Sequence, residues 1–202
     1  MTHIGHNEKV FIMMRLLLIL ILTLNFQSLT KADDIRDFEI EGMSIGDSLL
    51  EYISKKEILS RNPNWFKNNE YSLAIDLSSP NYEVFELLQV AYKTKDRAYS
   101  LEGIEGYKFF DNMNSCINEK NMVVNYVVNN FSSLEEIEEK IYTNEYPDYK
   151  TKFIENEFKF NSDDLILIQC THTTSSTINQ FDLRVVLRTK EYRNFIVNKA
   201  FK

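Results

Sequence analysis

The sequence is poor in the residues that mark specialised architectures. Five glycines and three prolines in 202 residues exclude a collagen-like or low-complexity chain, and two cysteines exclude a disulfide-dense scaffold. Basic charge is also short: 23 Lys and Arg face 30 Asp and Glu, with no long basic run, for a formal charge of −7. Phosphate recognition depends on clustered Lys and Arg, so DNA and RNA are excluded as leading partners. There is no Cys-x-x-Cys to lower a thiol pKa, which argues against thioredoxin-like redox chemistry. Beyond residue 32 a single histidine, His172, remains to serve as base or ligand. No apolar run approaches the ~20 residues of a bilayer-spanning helix.

What is present is a foldable composition, 44% hydrophobic and 26% charged, in a length that makes one domain. Asn, Lys, Ile, Tyr and Phe are abundant while Ala, Gly and Pro are scarce, the bias of an AT-rich coding sequence. The clustered Asn112, Asn114 and Asn118 therefore carry no ligand meaning of their own.

Arg15 precedes an apolar run of nine over residues 16–24, and a polar stretch then ends at Ala32 before Asp33 and Asp34. A basic start, a short apolar centre, a small residue at the cleavage point and an acidic mature start form a secretory signal peptide over residues 1–32. Translation can begin at Met13 or Met14 instead of Met1. No Cys follows the run closely enough for lipid attachment. Residues 33–202 then form a single α+β domain with 20 basic and 29 acidic side chains, exported to the periplasm or beyond, with no stable membrane span after cleavage.

Along that domain, Ser44 with Asp47 and Ser54 with Glu57 have capping-box spacing, which predicts two short opening helices. Strand patterns follow at 71–77, 84–93 and 98–109, the last two joined across Thr94 to Arg97. Met113, Cys116, Ile117, Val124, Val127, Val128 and Phe131 recur at helical steps and predict one long helix with a buried stripe. Ser133 with Glu136 opens an expected acidic helix around Leu134, Ile137 and Ile141 that stops before Pro147. Strands at 152–160, 165–172 and 181–188, with a turn at Asn161 to Asp164, and a helix over 192–201 complete the chain. The expected fold is an antiparallel sheet of two three-stranded meanders, continuous or split, packed with helices.

Three constellations bear on chemistry. Gly46-Asp47-Ser48-Leu49 spells the nucleophile block of the GDSL esterase and lipase family. Gln169 stands where that family's Asp-x-x-His would place its aspartate before His172, and a serine without an oriented imidazole is a weak nucleophile. A helix start built on the same four residues needs no partner. Cys170 and His172, two apart on a strand, share a face and could ligate a metal, with Cys116 a third ligand. In an exported chain the pair Cys116 and Cys170 alternatively forms a disulfide that clamps helix to sheet, or stays as two buried thiols. The carboxylates, among them Glu102 with Glu105, have no spacing that singles out an acid and base pair. The strand aromatics Tyr92, Tyr99, Tyr107 and Phe109 suit a core or a ligand groove equally.

The leader, followed by Ile40-Glu41-Gly42-Met43-Ser44-Ile45-Gly46-Asp47-Ser48, a cysteine in the middle helix, Ile168-Gln169-Cys170 on a strand and residues 183–192, resembles small exported proteins of AT-rich marine alphaproteobacteria, a group with no functional assignment. The likeness implies export and brings no catalytic residue. Gly42-Met43-Ser44 is also similar to the helix start of envelope modules such as the small outer-membrane assembly lipoprotein domain, whose lipid-bearing Cys is missing here.

These readings converge on a non-enzymatic, exported binding or envelope-associated module with no cofactor, whose partner is an envelope protein or a small ligand. The alternatives are an esterase using Ser48 and a metal-binding protein using Cys170 and His172. When the chain is expressed with its own leader, intact-mass measurement is expected to find a product that begins at Asp33; a product retaining residues 1–32 refutes export.

Overall fold

Alternation of apolar residues along seven segments builds one antiparallel sheet. In a computed structural model of the protein, residues 33–77, 82–132 and 134–202 are described; the signal peptide expected over residues 1–32 and the cap expected at Ser133 lie outside them. Residues from Ala32 to Lys202 form one compact unit. The strands are β1 (Tyr71–Leu77), β2 (Leu87–Lys93), β3 (Leu101–Phe110), β4 (Glu135–Glu145), β5 (Lys150–Lys159), β6 (Leu165–Thr174) and β7 (Asn179–Arg188). Helices α1 (Lys55–Ser60), α2 (Met113–Asn130) and α3 (Lys190–Asn198) accompany them. The order across the sheet is β1-β2-β3-β7-β6-β5-β4, and every neighbouring pair is antiparallel.

The α+β class with an antiparallel sheet is therefore as expected, with one open alternative settled and one correction. The sheet is continuous, because β3 and β7 pair over eight residues from Gly103 opposite Arg188 to Phe110 opposite Phe181. The second meander has four strands, because the segment expected as an acidic helix is the edge strand β4. Helical spacing of Leu134, Ile137 and Ile141 lost to a non-local gain: the backbone groups on the outer side of β5 need partners. Tyr142 also stacks on Phe153 at 4.8 Å, and Ile141-Tyr142-Thr143 favours an extended chain. Pro147 occupies the turn to β5, where Tyr146 N–H donates to the Tyr149 carbonyl at 2.8 Å. A register shift between Ile137 and Lys140, together with its charged residues, blunts this edge against further pairing.

At the N-terminus, Ser54 and Glu57 cap α1 reciprocally as their spacing requires. Ser44 does not start a helix. The Asp47 carboxylate accepts its N–H at 2.8 Å, and Gly46, at φ +94°, donates to the Leu101 carbonyl. That tight turn takes the segment to a 3₁₀ turn, Leu49–Glu51, whose cap is Ser48.

Helix α2, capped by Asn112, lies across one face of β3, β7 and β6. Cys116 and Val127 are buried against Ile154 and Phe158 of β5, Ile166 and Ile168 of β6, and Leu183, Val185 and Leu187 of β7. Val128, expected in the stripe, is 45% exposed. A lysine takes a stripe position instead: Lys120 is fully buried, and its ammonium donates to Glu139 on β4 at 2.6 Å and to Asn156 on β5.

Helix α3 packs on the opposite face, with its apolar side over β1, β2 and β3 and its Arg193 reaching Glu157 of β5 at 3.3 Å. Tyr192 and Phe195 meet Tyr71, Leu73 and Ala91 there. Gly103 makes this approach possible, since a Cβ at that position would lie 2.6 Å from the Tyr192 ring. No residue of either helix lines the part of that face around Gln180, Thr173 and Thr151.

Cys116 and Cys170 form a disulfide across 54 residues of sequence, with Cα atoms 6.0 Å apart. Closing such a loop restricts the unfolded chain by about 4 kcal/mol. Replacing both residues with alanine is expected to lower the unfolding free energy by about that amount, measured by urea denaturation under oxidising conditions; an unchanged midpoint refutes the clamp.

Candidate functional site

The disulfide fixes which way β6 faces. With Cys170 turned to α2, Gln169, Thr171 and Thr173 must project from the other face. Antiparallel register carries the same parity across the sheet. One cross-strand row reads Leu87, Tyr107, Arg184, Gln169, Glu155 and Lys140 from β2 to β4. The next reads Phe109, Asp182, Thr171, Phe153 and Tyr142, and a third Gln180, Thr173, Thr151 and Asn144. Polar residues thus occupy the centre of a sheet where neighbouring rows are apolar.

These groups largely satisfy one another. Arg188 donates to one Glu105 oxygen at 2.7 Å and the Tyr107 hydroxyl to the other at 2.9 Å. Burial alone would raise the Glu105 pKa, but Arg188 and Arg184 outweigh it and hold the carboxyl below its ordinary range. Burial, and then the Glu105 charge, push the Tyr107 phenol well above its usual value. Glu155 accepts from the Tyr142 hydroxyl at 3.0 Å and from the Gln169 amide. Burial and that carboxylate push the Tyr142 phenol up to about 12. The Arg184 guanidinium lies over the Tyr107 ring, 4.7 Å from its centroid.

Three buried atoms in this array lack a hydrogen-bond partner, Arg188 Nε, Asp182 Oδ2 and Arg184 Nε, and the last two belong to residues at a cleft. Asp182 is 5% exposed; its Oδ1 accepts the Thr171 hydroxyl at 2.6 Å, while Oδ2 has no hydrogen-bond partner. Arg184 Nε, also buried, has none either. Both residues line a cleft of about 470 Å³ on this face. Its walls include the neutral polar side chains Gln89, Gln180, Thr151 and Thr173 and the rings of Phe109 and Phe153.

Two loops complete the cleft. The turn between β4 and β5 brings Tyr146 and Tyr149, stacked at 4.5 Å between centroids. From the other side comes Trp65, 55% exposed. Its neighbour Phe66 packs on Phe195 at 5.1 Å and Phe201 at 5.8 Å, and Lys67 N–H donates to the Ala200 carbonyl at 3.0 Å. The C-terminal helix therefore holds the tryptophan in place.

Of the strand aromatics read as core or groove, Tyr107 and Phe109 line the cleft and Tyr92 and Tyr99 are in the core, whereas the esterase and metal candidates lie elsewhere. The Ser48 hydroxyl donates to the Ala98 carbonyl at 2.6 Å and accepts the Leu50 N–H at 3.3 Å, which is capping work. Ser48 pairs with Ser100 just before β3 begins, whereas His172 lies opposite Phe181, which pairs with Phe110 at the end of β3. Ten residues of strand separate the two levels, about 30 Å. The His172 ring stacks on Phe181 at 4.1 Å and shares a 2.8 Å hydrogen bond with Asn179. Cys170 is committed to the disulfide, and among the described residues no group of three His, Cys, Asp or Glu side chains is gathered for a metal ion. No described helix is long and apolar enough to cross a membrane.

Sequence reasoning missed Asp182 and Arg184. Their signal was present in β7, where Gln180, Asp182 and Arg184 alternate with Phe181, Leu183 and Val185, yet the strand is central. Compared with protein-family models, curated proteins and solved structures, the chain has no match.

Glu105 makes the site's integrity pH-dependent. A carboxyl whose folded pKa is depressed contributes stability that is complete above its unfolded value, about 4.3, and lost as pH falls through the lower folded value. Glu105→Gln is expected to lower the Tm most at pH 6–7, with the gap to wild type closing below about pH 4. A gap independent of pH between 7 and 3 contradicts an ionised Glu105.

Proposed function

We propose that the protein is an exported, non-enzymatic binding module of the cell envelope that holds a small ligand in the open half of its sheet. The observation that carries this is the pair of incomplete charged groups, Asp182 Oδ2 and Arg184 Nε, beside the cleft. A buried polar atom without a partner costs about 1–3 kcal/mol. Glu105 on the same face has both oxygens engaged; for Asp182 and Arg184 that cost is recovered when a ligand supplies a donor to one and an acceptor to the other. The volume and the mixed aromatic and polar walls are those of a small-molecule site.

Export is supported by the leader pattern and by the Cys116 to Cys170 disulfide, which persists in an oxidising compartment. The reading as a binder draws on the engagement of Ser48 in capping and its distance from His172, which leave the serine without an activating base.

A thermal-shift panel tests the reading on the oxidised protein, with neutral sugars, amino acids, dipeptides, nucleosides and short fatty acids. At least one class is expected to raise the Tm with increasing concentration, by roughly 5–10 °C at a hundredfold excess over Kd, and to do so less in Arg184→Met. Absence of stabilisation by every class at millimolar concentration overturns the proposal.

A further inference from the structure

Resting on that reading, we infer that the cleft takes an uncharged saccharide, one or two rings in size, whose neighbouring hydroxyls bridge Asp182 and Arg184. The two residues are i and i+2 on β7 and project from the same face, so their side chains present an acceptor and a donor side by side. A hydroxyl is both donor and acceptor. Oδ2 and Nε are closed to solvent, so as the two side chains turn toward the cleft a vicinal diol can give one proton to the Asp182 carboxylate and accept from the Arg184 guanidinium with its second oxygen.

The pair of side chains is itself charge-neutral, so the ligand need carry no net charge. A zwitterion such as a free amino acid would also satisfy the pair, but it has only two polar ends. The walls offer four more neutral groups, Gln89, Gln180, Thr151 and Thr173, which suit a ring bearing hydroxyls around its edge. Thr151 and Thr173 share one hydrogen bond at 3.1 Å and keep further capacity to donate or accept.

The aromatic contribution fits the same ligand. Aromatic faces are negative and attract positively polarised C–H groups, which a sugar presents on the flat side of its ring. Tyr146, Tyr149 and Phe153 line the cleft, and Trp65 stands at it more than half exposed. The volume of about 470 Å³ is enough for one or two such rings.

Trp65 is the only tryptophan of the chain, so its fluorescence reports on the cleft directly. The oxidised full-length protein is titrated with glucose, galactose, N-acetylglucosamine, maltose and cellobiose, and in parallel with glycine, alanine and glycylglycine. A saturable change with at least one sugar is expected. Its Kd should rise roughly tenfold or more in Asp182→Asn and in Arg184→Lys, each of which removes one hydrogen bond to the diol; circular dichroism checks that both variants fold. Saturation by an amino acid or dipeptide and by no sugar overturns the saccharide assignment while leaving the cleft as a binding site. Sugar binding of equal affinity in wild type and both variants overturns the roles of Asp182 and Arg184. No fluorescence response to any sugar also overturns the inference; the thermal-shift panel then shows whether the wider binding reading falls with it.

Discussion

The bond between Cys116 and Cys170 determines more than stability, because it settles the parity of the sheet. A strand turns alternate side chains to opposite faces, and a slip of one residue would exchange them all. With Cys170 tied to the helix, Ile166 and Ile168 enter the core and Gln169 and Thr171 leave it. Register then extends the choice to β7, where Leu183, Val185 and Leu187 face inward, so that Asp182 and Arg184 emerge on the opposite face. The disulfide and the apolar alternation of β6 and β7 thus agree on one parity, and the chemistry of the open face follows from it.

A seven-stranded sheet has two faces to cover, and the described residues include one long helix. Helix α2 covers the first face over its centre, while α3, of nine residues, packs its apolar side on the β1 to β3 part of the second and leaves the cleft region without a helix. Apolar residues in the remaining area would form an exposed patch, the usual mark of a partner surface or an aggregation hazard. Charged and hydroxyl-bearing residues occupy it instead, and burial between neighbours obliges them to pair. Glu105 with Arg188 and Tyr107, and Glu155 with Gln169 and Tyr142, meet that demand. Arg188, Asp182 and Arg184 each meet it only in part, and the last two line the cleft.

What was legible in the sequence is what local chemistry decides. The Ser54 and Glu57 capping box needs four consecutive residues and forms as read; β1 spans the expected residues; the stripe through Cys116 and Val127 describes α2, and the cysteines pair. Ser44 with Asp47 has the same spacing as Ser54 with Glu57, yet the following backbone bonds to Leu101 instead of continuing as helix. The acidic segment after Leu134 is another such case: its periodicity fits a helix, and only the open edge of β5 makes it a strand. The cleft was illegible for a related reason. Asp182, Arg184, Tyr107 and Thr171 lie on three strands, β3, β6 and β7, and share a surface only through register that no single segment encodes.

Lys120 shows how the exposed edge is joined to the core. Its position on the α2 stripe calls for an apolar side chain, and a buried ammonium normally destabilises unless it is paired and hydrogen-bonded. Here Glu139 and Asn156 supply both partners, one from β4 and one from β5. The lysine thereby links the helix to the two strands whose connecting turn carries Tyr146 and Tyr149 into the cleft. Glu139 lies on a strand with otherwise exposed side chains near it, so the ion pair is one of the few contacts that ties this edge to the interior. A departure from the apolar pattern on one face of the sheet therefore supports a wall of the cleft on the other, which is where a local inconsistency of sequence is expected to have a structural reason.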